Sequence, residues 1–395
     1  MNYVLFDDNS RNNLLPLTFT RPIADIRIGI LTIREKWERM LGHATSTLTE
    51  SYLSKKYPLL QKKDTVLING SILPTPELVE KINQLKPNEL LMAEDCIIAQ
   101  YIDIEDLDSP KEPENENINQ IKVNDCFLKI TYPWDIFTKN GKALEDDFDL
   151  VTKGRKSQEL SKSNKLIGNG KLFIEEGARI EGAIINTETG PIYIGRDAEI
   201  MEGSVIRGPF ALCEHAAVKM SAKIYGPTTI GPYSKVGGEL NNVVVFAYSN
   251  KAHDGFLGNS VIGEWCNLGA DTNTSNLKNT YDEVKVWNYP GRTFIPTGLQ
   301  FCGLIMGDHS KCAINTSFNT GTVVGVSANV FGPGLHRNFI ASFSWGGTAG
   351  FAPYDIDRAL DVARLVYKRR NLDFNLEDEE ILRHVAKLTR ENIRR

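Results

Sequence analysis

The chain has 395 residues, a formal net charge of −5 and 41% hydrophobic residues, which is ordinary for a globular protein. The acidic balance gives no basic character that would favour nucleic acid as a partner. No apolar run approaches the roughly 18 residues of a membrane span, and MNYVLFDDNSR is not a signal peptide. A cytoplasmic protein of two or three domains is expected, and its six cysteines, which include no CxxC pair, are expected to be reduced thiols.

Residues 1–150 predict an α/β domain with a small sheet. The apolar runs YVLF, TVLI and ELLM alternate with helical stretches at 30–41 and 76–85. SPKEPENENINQ, at 109–120, is predicted to be a polar, mobile insertion.

A period of six residues dominates the middle of the chain. An aliphatic residue recurs without a gap at Ile194, Ile200, Ile206, Leu212, Val218, Ile224, Ile230 and Val236. A small residue stands two positions before most of them, and the same phase returns at 262–268 and 306–330. Neither an α-helix nor an ordinary strand has this period. The pattern predicts a left-handed parallel β-helix of hexapeptide repeats over 165–345, with the aliphatic side chains filling its interior.

Glycines often follow the aliphatic position, and we expect them to supply the unusual backbone conformation of the corners; they are Gly195, Gly231, Gly237, Gly263, Gly269, Gly307 and Gly325. The period is interrupted at 237–261 and at 269–305. Excursions from a rigid solenoid are where loops carry function, so both are candidate site segments.

Apolar residues at helical spacing after Pro353 predict two amphipathic helices, 355–370 and 376–394, within a helical cap over 354–395.

The stretch SNKAHDGFLGNSVIGEWCNLGADTNTSN, 249–276, resembles the acetyltransferase half of the bifunctional enzyme family GlmU. The resemblance implies that His253 is the catalytic base and that Asn267 and Asn276 position the sugar amine and the reacting group. It also implies that Ala270 contacts acetyl-CoA, the acyl donor. Phe256 stands where the family has tyrosine, which affects the choice of sugar more than the chemistry.

The whole chain resembles GlmU-like sugar-phosphate nucleotidyltransferases through motifs such as LPLTFTRP (15–22), YPWDIF (132–137), GDHSK (307–311) and SFSWGG (342–347). The N-terminal stretch FDDNSR lacks the glycines that let backbone amides approach a triphosphate closely in that family. Mg²⁺ and a nucleoside triphosphate are therefore expected only if this domain is active. Its candidate phosphate contacts are Arg11, Arg21, Arg27, Asn69 and Gly70.

Acyl transfer to a sugar amine requires a base that titrates near neutrality, donors for the oxyanion, and two substrates held in reacting geometry. His253 suits the first need. The remaining candidates for substrate or cofactor binding are Lys251, Asp254, Lys278, Lys285, His309, Lys311 and Asn315, the last also near the acetyl-CoA site. A zinc site from His215, His253 and His309 is weighed and not favoured, so no metal is expected.

Three functions remain open from the sequence. The first is N-acetylation of an amino-sugar 1-phosphate. The second is nucleotidyl transfer to a sugar 1-phosphate, with the solenoid serving for oligomerisation. The third is a non-catalytic scaffold. The resemblance implies a homotrimer with active sites between subunits, and neither nucleic acid nor a membrane is expected as a partner.

Overall fold

The computed structural model describes residues 1–102, 118–124 and 126–390, which separate into two compact units. The first contains Met1–Leu14, Thr20–Ile26 and Leu31–Tyr132, and the second contains Leu15–Phe19, Arg27–Ile30 and Pro133–Arg395. Most of the predicted insertion at 109–120, and residues 391–394 of the last predicted helix, lie outside the described residues.

The first unit is an α/β fold, as predicted, around a six-stranded sheet of order β2-β1-β3-β5-β4-β6. Its strands are β1 Asn2–Phe6, β2 Thr45–Leu48, β3 Thr65–Asn69, β4 Glu89–Ala93, β5 Cys96–Ile102 and β6 Asn119–Lys122. Its helices are α1 Ser10–Asn13, α2 Ile33–Leu41 and α3 Pro76–Gln84, with 3-10 turns at Ile23–Asp25 and Ser51–Leu53. Strand β1, second in the order of the sheet, runs parallel to both of its neighbours and ends at the loop that carries Asp7 and Asp8, which leads into α1 with Arg11.

The second unit is a parallel β-helix with three faces, which confirms the predicted hexapeptide fold. The first face contains β7 Lys165–Ile167, β10 Ile184–Asn186, β13 Val205–Arg207, β16 Lys223–Tyr225, and the leading halves of β19 Glu239–Val245 and β21 Phe256–Ile262. A separate ladder pairs β23 Asn273–Thr274 with β28 Ser317–Phe318. The second face contains β8 Leu172–Ile174, β11 Ile192–Ile194, β14 Phe210–Leu212, β17 Thr228–Ile230, the trailing halves of β19 and β21, β26 Ile305–Met306, β29 Val323–Val324 and β31 Phe339–Ile340.

The third face forms one uninterrupted ladder of ten strands. It contains β9 Arg179–Ile180, β12 Glu199–Ile200, β15 Ala217–Val218, β18 Lys235–Val236, β20 Asn250–Lys251, β22 Asn267–Leu268, β27 Lys311–Cys312, β30 Asn329–Val330, β32 Ser344–Gly347 and β33 Gly350–Pro353. The helices of this unit are α4 Pro133–Thr138 and α5 Asn140–Thr152 before the solenoid, and α6 Ile356–Lys368 and α7 Leu376–Thr389 after it.

The aliphatic residues of the period stack in register inside the solenoid. Ile206 pairs with Ile224 on the first face, and Leu212 pairs with Ile230 on the second. All four side chains are at most 1% exposed. Since each coil buries its inward residues only against its two neighbours, the repeated hexad by itself specifies a continuous apolar interior.

The corners between the second and third faces depart from the prediction. The residues with positive φ angles at these corners are not glycines; examples are His215 (54°), Tyr233 (59°) and Tyr248 (60°). The glycines after the aliphatic position have another role: a Cβ at Gly195 would lie 2.6 Å from the Glu214 backbone nitrogen of the next coil. These glycines permit close approach between coils, so the prediction that they supply the corner conformation was wrong.

Aromatic rings at these corners form a continuous stack along one edge of the solenoid. Successive ring centroids lie 4.7 Å apart for His215–Tyr233, 5.0 Å for Tyr233–Tyr248 and 4.1 Å for Tyr248–Trp265. Tyr367 of α6 continues the stack at 3.9 Å from Trp265. This contact holds α6 against the side of the solenoid.

The two interruptions of the period differ in structure. Residues 237–261 are not an excursion, because β19, β20 and β21 continue the three faces, with Asn242 (φ 57°) and Asn259 (φ 46°) at the bends of the long strands. Within the second interruption, β23 stays in the column, whereas residues 277–301 leave it and carry an antiparallel hairpin of β24 Lys285–Asn288 and β25 Thr293–Pro296. Among the described residues, none of the helices has the length and apolar character needed to cross a membrane.

Candidate functional site

His253 lies on the tight turn that joins β20 of the third face to β21 of the first. Gly255 takes a φ of 110° in this turn, where a Cβ would lie 2.2 Å from the Thr272 carbonyl oxygen of the next coil. His253 and Asp254 are exposed, whereas the preceding Lys251 is buried. The imidazole is thus carried by a corner of the solenoid rather than by a protruding loop, which corrects the expected setting.

His253 borders two adjoining cavities of the second unit. One has a volume of about 670 Å³ and the other about 660 Å³, and Ala252 and Ala270 also line both. The imidazole therefore stands where two separate ligand volumes meet, each large enough for a small molecule.

The first of these, which we call the cationic cavity, contains Asn267 and Lys311 beside His253 and Ala270, as expected from the sequence. Lys235, Arg369 and Arg370 also line it. None of the described residues that line this cavity carries a carboxylate. Its wall presents four cationic side chains to whatever it binds.

Neighbouring cations lower the pKa values of two basic side chains in this cavity, Lys235 and Arg370. Burial lowers the pKa of Lys235, and the nearby Arg370, Lys219 and Arg369 lower it further. Burial and the adjacent Arg369 likewise lower the pKa of Arg370, whose guanidinium donates a hydrogen bond of 3.2 Å to Asn250 Oδ1. The mutual repulsion of these side chains creates a positive potential that an anionic ligand would relieve.

The second cavity has a different character. Asp254 and Asp271 line it together with Lys219, Met201 and Met220, so both signs of charge are present. A polar ligand with donor and acceptor groups suits this lining, whereas the cationic cavity suits phosphates.

Lys251, predicted to bind substrate, faces the interior of the solenoid and is 3% exposed. Its Nζ donates hydrogen bonds to the carbonyl oxygens of His253 (2.8 Å), Gly237 (3.1 Å) and Asp254 (3.2 Å). The ammonium is fully engaged and is not presented to either cavity.

Five other candidates do not line these cavities. Asn276 Nδ2 donates to Asn259 Oδ1 at 2.8 Å, and Lys278 Nζ donates to the Glu283 carbonyl at 2.6 Å. Lys285 lies on the hairpin and His309 lies beside the aromatic stack, 6.3 Å from Trp265. Asn315 is exposed and its backbone amide donates to the Ala270 carbonyl at 2.8 Å.

Two of the N-terminal phosphate candidates, Arg11 and Asn69, are engaged with carboxylates of the first unit. Arg11 is 5% exposed and pairs with Asp7 at 3.0 Å. Asp8 pairs with Lys129 at 2.7 Å and accepts a hydrogen bond of 3.1 Å from Asn69 Nδ2. Two carboxylates thus occupy the loop in which the family resemblance places phosphate-binding glycines.

The three remaining candidates of this set are also inside the protein. Arg21 and Arg27 are 4% and 8% exposed, and Arg27 donates to the Ile30 carbonyl. The Gly70 amide donates to the Phe6 carbonyl at 2.9 Å, which ties the end of β3 to the end of β1. The Gly70–Phe6 contact stabilises the loop of the first unit, whereas the Arg27–Ile30 contact lies within the second unit.

In the part of the chain that the structure describes, no three His, Cys, Asp or Glu side chains are placed to hold a metal ion. All six cysteines are free thiols, and Cys213, Cys266, Cys302 and Cys312 are buried.

Sequence reasoning missed Lys235, Arg369 and Arg370. Lys235 precedes an inward Val236 and has the pattern of an ordinary outward strand residue. The Arg369–Arg370 pair at the end of an amphipathic helix was the available signal, but contacts distant in the sequence place it at the cavity, among them the stacking of Tyr367 on Trp265.

Comparison with known proteins gives two kinds of match. Residues 3–156 match the model of the sugar nucleotidyl transferase family. The bifunctional protein GlmU of Methanocaldococcus jannaschii is 28% identical over 261 residues, which are 66% of this chain and 52% of that protein. A bifunctional sugar-1-phosphate nucleotidylyltransferase/acetyltransferase of Sulfurisphaera tokodaii is 30% identical over 227 residues, 57% of this chain and 49% of that protein. The chain spans about half the length of the curated relatives it matches.

Among solved structures, a hexapeptide transferase family protein from Anaplasma phagocytophilum covers 57% of this chain and 96% of its own, at 14% identity and a TM-score of 0.28. The sequence matches confirm the resemblance to GlmU-like proteins, with a sugar nucleotidyl transferase region on the N-terminal side.

Proposed function

We propose that this GlmU-like chain transfers an acetyl group from acetyl-CoA to the amine of an amino-sugar 1-phosphate. The single observation that carries the proposal is the position of His253 between two cavities of unlike charge. A reaction that joins two substrates needs such a meeting point with a base at it. The names of the relatives, which include acetyltransferase and sugar-1-phosphate nucleotidylyltransferase, agree with this chemistry.

In the proposed reaction the acyl donor occupies the cationic cavity and the amino sugar approaches from the second cavity. The His253 imidazole removes a proton from the amine as its nitrogen attacks the thioester carbonyl carbon. The tetrahedral intermediate then collapses, the C–S bond breaks, and the imidazolium returns the proton to the departing thiolate. The products are the N-acetylated sugar and CoA, so atoms and charge balance.

In this proposal the cationic cavity binds the phosphates of acetyl-CoA. Lys235, Arg369 and Arg370 would neutralise them, which also relieves the repulsion among these three side chains. Asn267 lies in the same cavity and offers both a donor and an acceptor for orienting the thioester arm.

An assay of CoA release with acetyl-CoA and glucosamine 1-phosphate tests the proposal. We expect turnover by the native chain and a loss of about 10²-fold or more in kcat for His253→Gln, because removal of a general base has effects of that size. His215→Gln is the matched control, since His215 also stands at a corner of the solenoid but lines neither cavity. Turnover that survives in His253→Gln would show that the imidazole is not the base.

Nucleotidyl transfer is the second candidate, and the family match over 3–156 favours it. The carboxylates Asp7 and Asp8 argue against a triphosphate in the loop that they occupy, because they hold Arg11 and Lys129. Release of pyrophosphate from a nucleoside triphosphate and a sugar 1-phosphate, without acyl transfer, would establish this alternative. Absence of both activities would leave the non-catalytic scaffold.

We also propose a homotrimer, because flat faces of a three-sided solenoid pack well against copies of themselves. Light scattering tests this, and a monomeric mass at micromolar concentration would contradict it.

A further inference from the structure

Lys251 occupies an inward position of the solenoid at which the six-residue repeat has an aliphatic residue on the adjacent coils. It pairs in register with Val236 of the preceding coil, and Leu268 holds the same position on the coil that follows. Val236 and Leu268 are buried members of the apolar interior. Burying an ammonium at such a place is costly unless its hydrogen bonds are restored. A lysine there therefore requires a specific set of partners.

Those partners belong to the turn that carries His253. An ammonium has three donors, and the Nζ hydrogen bonds end on the carbonyls of His253, Asp254 and Gly237. Gly237 belongs to the preceding coil, so the lysine ties the turn to the column from within. Two of the three bonds hold the peptide groups that follow His253 and Asp254, on either side of the Asp254 Cα.

Carboxylates contribute to this site only from a distance. Burial lowers the pKa of Lys251 to about 8, and the charges of Asp254 and Asp271 oppose that effect. Within the described residues, no ion pair joins Lys251 to an acidic side chain. The cation is stabilised by the carbonyl groups whose positions it determines.

We propose that Lys251 is a positioning residue, which fixes the turn so that the His253 imidazole stands at the junction of the two cavities. This inference rests on the acyl transfer proposed above. A displacement of about 1 Å at a reacting group can cost up to about 10²-fold in rate. Loss of three bonds to the turn would allow such a displacement while the cavity walls remain in place.

Lys251→Met tests the proposal, because methionine keeps an unbranched chain of similar length and removes every donor. We expect kcat to fall by about tenfold or more while KM for acetyl-CoA changes by less than about twofold. Backbone amide exchange of peptides covering residues 252–256 should accelerate in the same variant. Val236→Ala is the matched control: it perturbs the same interior column without a bond to the turn, and should leave kcat and this exchange near their native values.

The outcomes separate the positioning role from a general structural one and from the proposed function. An equal fall in kcat for Val236→Ala and Lys251→Met, or native amide exchange in Lys251→Met, would overturn the positioning role. A native chain that shows no acyl transfer would defeat the proposed function, and the exchange measurement would still decide whether Lys251 holds the turn. If Lys251→Met does not fold, Lys251→Gln is judged by the same two measurements.

Discussion

The two units differ in the charged groups that surround their buried cations. In the first unit Arg11 and Lys129 face the carboxylates of Asp7 and Asp8. Burial opposes the charged form of Lys129, yet its hydrogen bond and attraction to Asp8 raise its pKa. In the second unit burial lowers the pKa values of Lys235 and Lys251, and at Lys235 neighbouring cations lower it further.

This difference indicates which cations are available to bind an anionic ligand. A bound phosphate adds little stabilisation to a cation that already pairs with a carboxylate of its own chain, because that ion pair must first be broken. A group of neighbouring cations with no carboxylate among them is stabilised electrostatically by any anion that binds there. By this criterion the cationic cavity is the candidate anion site and the loop of the first unit is not. Four measurements test this difference between the two units.

The largest effect is expected for Asp7→Ala in the first unit. The change removes the buried carboxylate that pairs with the Arg11 guanidinium and leaves it only the more distant, exposed Glu50 at 3.7 Å. Breaking a buried pair costs about 3–5 kcal/mol of unfolding free energy. Chemical denaturation followed by circular dichroism measures it. Asp146→Ala is the control, since the Lys142–Asp146 pair is exposed and should contribute less than about 1 kcal/mol. A loss for Asp7→Ala as small as that of the control would remove the contrast between the units.

The next effect is the pH dependence due to Lys251. Its pKa is about 8 in the folded chain against 10.5 for the ordinary side chain, so the unfolded state binds more protons between these values. Stability relative to Lys251→Met should therefore rise with pH across this window, by about 3 kcal/mol in total, and be independent of pH below it. Urea unfolding at several pH values measures the difference. Parallel pH curves for the two proteins would show that the buried ammonium has an ordinary pKa.

A smaller effect is expected for a double variant of the cationic cavity, Arg369→Gln with Arg370→Gln. Lost phosphate contacts should raise KM for acetyl-CoA by about tenfold, or about 1.4 kcal/mol. KM for acetyl-N-acetylcysteamine, a thioester without phosphates, should not change. Arg364→Gln is the control, because Arg364 of α6 pairs with Asp361 of α6 and with Glu379 of α7. Equal changes in KM for both thioesters would place the donor phosphates elsewhere.

The smallest effect is expected for Tyr367→Leu, which removes the ring that stacks on Trp265 and weakens the docking of α6. Such aromatic contacts contribute about 1 kcal/mol beyond the area they bury. Tryptophan fluorescence and denaturation should both report the change, whereas Leu365→Ala, on an exposed side chain of the same helix, should alter neither. An unchanged KM for acetyl-CoA in Tyr367→Leu would indicate that α6 stays in place without the stack.

The solenoid was predictable because its interior repeats: Ile206, Leu212 and their successors are each buried by an aliphatic residue at the same position of the adjacent coil, so local pattern and tertiary contact coincide. The prediction failed at 237–261, where a coil is shorter and Lys251 replaces an aliphatic residue, which hides the period. His253 could be assigned to the site from its motif. Arg370 could not, because a contact distant in sequence, between Tyr367 and Trp265, brings it there.

The hairpin of β24 and β25 leaves the column and returns to it at almost the same point. The Cys302 amide donates to the Asn276 carbonyl at 2.9 Å, and the strands before and after the departure pair as adjacent coils. An insertion whose ends already meet adds little strain to the scaffold that carries it. A short connector between Asn276 and Cys302 would therefore preserve the path of the coils, and what the native segment adds is the packing of its hairpin, where Trp287 stacks on Phe339 of β31 at 4.3 Å.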